Sequence, residues 1–219
     1  MPPVKVAPSV LAANFTRLGD EVRAVAEADQ IHIDIMDGRF VPNISMGPII
    51  VSAIKSVTDL PLDIHLMIVE PEKHIDAFAK AGADMITVHY EAVPTLRDTL
   101  RAIHDLGVKA GVAIKPETSP LVLADVLSML DIILVMTVDP GFGGQPFMKE
   151  TLPKIQRARQ MVDAVDRDIA VSVDGGIDAE TAPWALEVGA NVFVAGSSIF
   201  KAEGGPAQGL RTLKAAIGI

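Results

Sequence analysis

The chain has no cysteine. That excludes disulfides, thiolate metal sites and cysteine nucleophiles, and says little about compartment. Aromatic residues are scarce, 4% of the total with one Trp and one Tyr, so the core must be assembled from Val, Ile, Leu, Ala and Met. Positive charge is in deficit: 19 Lys and Arg face 28 Asp and Glu, a net charge of −9, with no basic block or stripe. The electrostatic footprint of a nucleic-acid partner is therefore missing. An anionic substrate is not excluded, because backbone dipoles bind phosphate even on an acidic protein. No apolar run reaches about 18 residues, so no membrane span is expected. The opening MPPVKVAPSVLAAN lacks the charged start and long apolar stretch of a secretory signal. The expectation from these absences is a soluble cytoplasmic enzyme.

What the chain does have is a repeated alternation of short β-branched runs with amphipathic segments. Strands are expected at Val4–Ser9, Gln30–Asp34, Leu62–Met67, Met85–His89, Lys109–Ile114, Ile132–Met136, Ala170–Val173 and Asn191–Ala195. Between them, Asn14 reads as the N-cap of a first helix. Glu72–Ala81, Thr95–Leu106 and Thr181–Val188 each run into a glycine, at 82, 107 and 189, as helix C-termini do. No linker, low-complexity segment or composition break divides residues 1–219, so a single (β/α)8 TIM barrel of the α/β class is expected. An open doubly wound sheet is the alternative. It would more often carry a Gly-rich turn after the first strand, where this chain has Ser9-Val10-Leu11.

In such a barrel the working side chains gather at the carboxyl ends of the strands. The stretch Ile31-His32-Ile33-Asp34-Ile35-Met36-Asp37-Gly38 alternates strictly, which puts His32, Asp34 and Met36 on one face and the isoleucines on the other. The same parity turns His65 and Met67 inward while Leu62, Ile64 and Leu66 face the helices. It likewise turns Ser172 and Asp174 inward, with Val171 and Val173 outward. Ser9 and Met136 also end strands at the mouth. Each imidazole or carboxylate alone reads as a core histidine or a turn aspartate. Together, His32, Asp34, His65 and Asp174 make a first shell of nitrogen and oxygen donors for one divalent transition metal, Zn, Fe(II), Mn or Co. Strands 2 and 7 lie well apart around the ring, so Asp34 and Asp174 could approach a substrate carbon from opposite faces as two bases. The metal would polarise the adjacent carbonyl and stabilise an enediolate. Met36, Met67 and Met136 would form a polarizable, water-excluding wall, or simply plug the barrel top.

Three consecutive strand ends are rich in glycine: Asp139-Pro140-Gly141-Phe142-Gly143-Gly144-Gln145, Asp174-Gly175-Gly176-Ile177 and Ala195-Gly196-Ser197-Ser198. Loops near strands 7 and 8 form the recurrent phosphate site of this barrel, and glycines let backbone N–H groups approach an anion. His74 and His104 fall in helices and are read as solvent-facing. Asp37 and Asp139 are read as making local backbone bonds in turns, and Asp63 as a buried structural partner. His89 faces the mouth, and a core histidine is preferred for it over a supporting role. Lys115 is the one lysine placed for a Schiff base, with nothing evident to activate it.

These residues lie in the motifs APSVLAANF, HIDIMDGRFVPNISMG, LDIHLMI, TVHYEA, MTVDPGFGGQPF, SVDGGI and GANVFVAGSSIF. From Val6 to about Phe200 the chain resembles the ribulose-phosphate 3-epimerase family. The resemblance implies a metal-dependent barrel interconverting D-ribulose 5-phosphate and D-xylulose 5-phosphate in pentose-phosphate or reductive carbon metabolism. On it, His32, Asp34, His65 and Asp174 match metal ligands, with Asp34 the proton acceptor and Asp174 the donor in one direction. Ser9, His65, Gly141, Phe142, Gly143, Gly144, Asp174, Gly175, Gly176, Gly196 and Ser197 match substrate-contacting positions. A homo-oligomer, dimer or hexamer, is also implied. Ala12-Ala13-Asn14 departs mildly from the family's frequent Ser-Ala-Asp. Related decarboxylases and synthases carry Asp-x-Lys-x-x-Asp, whereas this chain reads Asp34-Ile35-Met36-Asp37.

Overall fold

Residues 3–219 are described in a computed structural model of the chain. In chain order the regular elements are β1 (Lys5–Pro8), α1 (Leu18–Ala24), β2 (Ile31–Met36), α2 (Pro48–Lys55), β3 (Leu62–Met67), α3 (Ile75–Lys80), β4 (Met85–His89), α4 (Leu96–Asp105), β5 (Lys109–Ile114), β6 (Ile132–Met136), α5 (Leu152–Asp163), β7 (Ala170–Asp174), α6 (Thr181–Glu187), β8 (Val192–Ala195), α7 (Ser197–Phe200) and α8 (Pro206–Ala216). The strands form one eight-stranded sheet in the order β1-β8-β7-β6-β5-β4-β3-β2. Every ladder is parallel. A parallel bridge from Ser9 to His32 joins the two ends of the sheet and draws it into a barrel. No helix among the described residues is long and apolar enough to cross a membrane.

The expected strands stand, with small shifts: β2 runs on to Met36, β7 includes Asp174, and β1 stops at Pro8. The strand parity also holds. Ile31, Ile33, Ile35, Leu62, Ile64, Leu66, Val171 and Val173 belong to the apolar layer under the helices. Inside the barrel the two sides differ. Ala7, Ala113, Ile132, Leu134, Met136, Val192 and Val194 pack there as an apolar plug from β1, β5, β6 and β8. Between the methionines at their ends, the inward positions of β2, β3 and β4 are instead buried polar groups: His32, Asp34, Asp63, His65, Thr87 and His89.

Three local expectations change. Asn14 caps a short 3-10 turn, Phe15–Arg17, by accepting the Thr16 N–H, and that turn leads into α1. The helix read over Glu72–Ala81 is divided into a 3-10 turn, Pro71–Lys73, and α3. The segment between β5 and β6, Pro120–Met129, is 3-10 throughout rather than α-helical. Pro120 withdraws one donor there, and the Ser119 hydroxyl takes the Leu121 N–H at 3.4 Å.

The amino-terminal rim, opposite the mouth, carries a device repeated four times. The residue shortly before each even-numbered strand both donates to and accepts from one residue of the preceding odd-numbered strand. Asp29, Asp84, Asp131 and Asn191 accept the N–H groups of Val6, Leu62, Ala110 and Val171 at 2.9, 2.9, 2.8 and 2.8 Å. Their own N–H groups donate to the carbonyls of the same four residues. Each acceptor is met by a cationic side chain: Lys214, Lys55, Arg167 and Arg159 respectively. The strand starts, which would otherwise expose unpaired N–H groups, are thereby satisfied.

Asp131 tests the device. Burial raises its pKa, but His104, the Ala110 N–H and Arg167 outweigh burial and hold the carboxyl below its ordinary value. Asp131→Ala should lower stability by about 1–3 kcal/mol in urea unfolding at neutral pH. A depressed carboxyl stabilises above its unfolded pKa, about 3.9, and that stabilisation is lost as pH falls through the folded value. The gap between wild type and variant should therefore narrow in acid. A gap unchanged down to acid unfolding would contradict this reading of the clamp.

Candidate active site

The inward parity of β2, β3 and β7 brings the four expected donors together. His32, Asp34, His65 and Asp174 each offer one ligand-type atom, all within 4.8 Å of one another. Asp34 Oδ1 lies 3.1 Å from His65 Nδ1 and 3.3 Å from His32 Nε2. Asp174 Oδ2 lies 3.5 Å from His65 Nδ1 and 3.8 Å from His32 Nε2. The other Asp34 oxygen accepts the Ser9 hydroxyl at 2.6 Å. Both imidazoles are fully buried, and the side chains of Asp34 and Asp174 are 5% and 16% exposed.

Burial of an ionised carboxylate is unfavourable unless opposite charge answers it. Here burial pushes the Asp34 pKa up, but His32 and His65 outweigh it and hold Asp34 well below the carboxylate range. Burial likewise pushes His32 and His65 down. Asp34 and Asp63 reverse this at His32, and hydrogen bonds to Asp174 and Asp34 reverse it at His65, so both imidazoles end above their ordinary value. The two carboxylates thus draw positive charge into the cluster.

Each imidazole is anchored from behind. His32 Nδ1 lies 2.9 Å from Asp63 Oδ2, which also accepts from Gln30 at 3.0 Å. Asp63 is therefore the buried structural partner expected of it. The opposite nitrogen, His32 Nε2, is buried without a hydrogen-bond partner, though it faces both site carboxylates. A buried imidazole nitrogen with no hydrogen-bond partner among the described residues, aimed at two carboxylates beside a second imidazole, fits a divalent cation. The mixed nitrogen and oxygen donor set, without sulfur, suits Zn, Fe(II), Mn or Co. His89 supports rather than fills: its Nε2 lies 2.9 Å from His65 Nε2. The sequence preference for a plain core histidine at His89 is corrected accordingly. Parity showed that it faces inward, but the spacing from β3 to β4 does not reveal which rows meet.

Above the cluster opens a cavity of about 900 Å³. Ser9, Asp34, Met36, Met67, Met136, Gly141, Phe142, Gly143, Gly144, Asp174, Gly175, Gly176, Gly196 and Ser197 all line it. His32 and His65 do not, so His65, also expected among the substrate contacts, lies beneath them. Met36, Met67 and Met136 are each at most 4% exposed and form an apolar floor beside the carboxylates. Phe142 stands at the rim, 57% exposed. Gly176, at φ 65°, passes so close to the next loop that a Cβ would lie 2.4 Å from the Phe147 nitrogen. Among the described residues, neither the Gly175 nor the Gly176 N–H donates to a backbone carbonyl.

Four residues hold these loops, and of them only Ser198 stands in a stretch read from the sequence as a phosphate loop. Thr137 donates to the Gly175 carbonyl at 2.6 Å, Thr181 to Gly176 at 2.7 Å, and Ser198 to Ile177 at 2.6 Å. Asn43 donates to the Gly141 carbonyl at 3.1 Å, tying the loop after β2 to the loop after β6. Thr137 and Ser198 lie just beyond strand ends, whereas Thr181 opens α6 and Asn43 sits in the loop after β2. His74 is exposed as expected, whereas His104 is half-buried and bonds Asp131 at 2.9 Å. Asp37 accepts from Arg39 and Phe40 as a turn residue and also from Val69, at 2.9 Å, beyond β3. Those N–H donors overcome burial and hold its carboxyl below the ordinary value. At Asp139 it is the carbonyl, not the carboxylate, that bonds, accepting from Gln145. Lys115 lies over the Phe40 ring, 4.7 Å from its centroid.

The family model described as the ribulose-phosphate 3 epimerase family matches residues 5–200. The Bacillus subtilis (strain 168) protein named ribulose-phosphate 3-epimerase is 54% identical over 200 residues, covering 90% of this chain and 92% of that protein. A protein of the same name from Synechocystis sp. is 54% identical over 203 residues, covering 91% and 88%. A solved 3-hexulose-6-phosphate synthase superposes with a TM-score of 0.73 over 98% of this chain and 100% of that one, at 22% identity. That last likeness is one of fold alone.

The loop packing at Gly176 can be separated from backbone strain. Gly107 has a similar φ, 75°, with open space around its missing Cβ. Gly107→Ala should therefore cost only the left-handed conformation, about 1–2 kcal/mol. Gly176→Ala should cost more, because the loop must also move away from Phe147. Equal losses in urea unfolding would contradict the close approach.

Proposed function

The chain belongs to the ribulose-phosphate 3-epimerase family, and from that premise we propose that it interconverts D-ribulose 5-phosphate and D-xylulose 5-phosphate by proton transfer at C3 between two bases, Asp34 and Asp174. The observation that carries this reading is the pairing of those carboxylates at one barrel mouth, each within 4 Å of both His32 and His65. His32 Nε2, Asp34, His65 Nδ1 and Asp174 would hold one divalent transition metal. When bound, that metal supplies positive charge beside the substrate oxygens that become negative as C3 loses its proton.

The protein's own groups account for the rest. Asp34, kept ionised by the imidazoles beside it, removes the C3 proton from one face of the carbon. Asp174, on a strand remote from β2 around the ring, delivers a proton to the other face. In the reverse direction they exchange roles, as reversibility requires. The Ser9 hydroxyl, bonded to Asp34 Oδ2, orients that carboxylate so that its free edge faces the substrate. Met36, Met67 and Met136 exclude water from the deprotonated carbon, which would otherwise exchange its proton with solvent. The N–H groups of the Gly175–Gly176 turn, with Gly141–Gly144, Gly196 and Ser197 around them, cradle the phosphate. We read residues 1–219 as one catalytic domain. Its cytoplasmic setting and its assembly as a homo-oligomer, dimer or hexamer, follow from the family likeness alone.

Asp174→Asn preserves shape and removes the base. Epimerisation should fall by about 10²–10⁴-fold while the circular dichroism and melting curve stay those of wild type. Wild type should also incorporate deuterium at C3 of ribulose 5-phosphate in heavy water, as a mere binder of the sugar phosphate would not. Near-native turnover in the Asp174→Asn variant would sink the two-base reading.

A further inference from the structure

A line of hydrogen bonds, buried at its start and reaching the surface at its end, leaves the site through His65, and the proton transfer proposed above makes no use of it. His65 Nε2 lies 2.9 Å from His89 Nε2, at the end of β4, and the two rings meet edge to edge, with centroids 5.0 Å apart and planes inclined by 27°. His89 Nδ1 lies 3.2 Å from Glu91 Oε2. The other Glu91 oxygen accepts the Lys115 N–H at 2.9 Å and the Thr118 hydroxyl. His65 and His89 are fully buried. Glu91 ends the line at the surface, with its side chain still only 21% exposed.

The proton on each bond is assigned by what the partners can do. Ionised Glu91 only accepts, so His89 Nδ1 is the donor to it. A neutral imidazole has one N–H, which leaves His89 Nε2 as an acceptor. The proton between the two rings therefore sits on His65 Nε2. On the far side of the site the logic is mirrored, since the Asp63 carboxylate accepts the hydrogen bond of His32 Nδ1 directly. The two anchors approach their rings from different edges, so the two imidazoles present different nitrogens to the site.

We propose that Glu91, acting through His89, is a positioning residue that keeps the His65 proton on Nε2, so that Nδ1, which faces Asp34 and Asp174, is the nitrogen offered to a metal ion. The proposal rests on the metal reading given above. It makes Lys115 and Thr118, in the loop after β5, the outermost supports of the ligand set, although neither lines the site. Glu91 would act on metal affinity first and on turnover only as a consequence, because it is two residues removed from the site atoms.

The probe is Zn²⁺ itself, bound to the intact protein. In two-bond proton–nitrogen spectra of histidine-labelled, Zn²⁺-loaded wild type, His65 should carry a slowly exchanging proton on Nε2 and His32 one on Nδ1. Glu91→Ala should lose the protection of the His65 Nε2 proton and weaken Zn²⁺ binding by about 10–100-fold, measured by chelator competition. Glu91→Gln, whose amide oxygen still accepts from His89 Nδ1, should recover most of that affinity. A His65 proton on Nδ1 in the loaded wild type would overturn the relay, and the wild-type spectrum needs no variant to fold. Unchanged Zn²⁺ affinity in Glu91→Ala, with wild-type His32 and His65 both responding to Zn²⁺, would overturn the relay alone. Wild-type imidazoles that ignore Zn²⁺ would overturn the metal reading, and the relay with it.

Discussion

Two carboxylates and two imidazoles held within 4.8 Å, nearly out of reach of water, are the constraint around which the upper half of this barrel is arranged. Like charges so close in a poorly solvated place repel strongly. The cluster therefore exists only because opposite charge or a hydrogen bond answers each member: Asp34 and Asp174 face both rings, the Ser9 hydroxyl bonds Asp34, and Asp63 backs His32. His32, Asp34, Asp63 and His65 among these groups, together with His89, occupy inward positions of β2, β3 and β4, which accounts for the uneven barrel interior. The apolar plug from the remaining strands fills the other side and leaves the cluster at one edge of the mouth.

Stability and chemistry occupy opposite ends of the same strands, as expected for this architecture. At the amino-terminal rim, Asp29, Asp84, Asp131 and Asn191 close strand pairs with short hydrogen bonds and cationic partners. At the carboxyl-terminal rim the turn after β7 is held by Thr137, Thr181 and Ser198, and the loop after β6 by Asn43. The rim that spends its polar groups on itself is separated by the whole depth of the barrel from the rim that offers them to a ligand.

Much of this was legible in the sequence because period-two alternation fixes which face a strand residue occupies. Once Ile31, Ile33 and Ile35 are assigned outward, His32 and Asp34 must point in. The same argument places His65 and Asp174 without any knowledge of distance. What alternation cannot give is the register between strands, which is why the pairing of His65 with His89 was not legible. The rim clamps were missed for a different reason: an Asp or Asn before a strand is also what any turn requires, so a single occurrence carries no signal. Only the recurrence before β2, β4, β6 and β8 does. The 3-10 segment Pro120–Met129 was not distinguishable from an α-helix, since an apolar run of that length serves either.

The central claim is that His32 Nε2, His65 Nδ1 and the facing oxygens of Asp34 and Asp174 form one metal site. Anomalous diffraction from crystals grown with Zn²⁺, collected on either side of the zinc absorption edge, tests it most directly. A single strong edge-dependent peak between those four side chains is the predicted result. Zinc peaks found only at surface histidines such as His74, with none between the four, would contradict it.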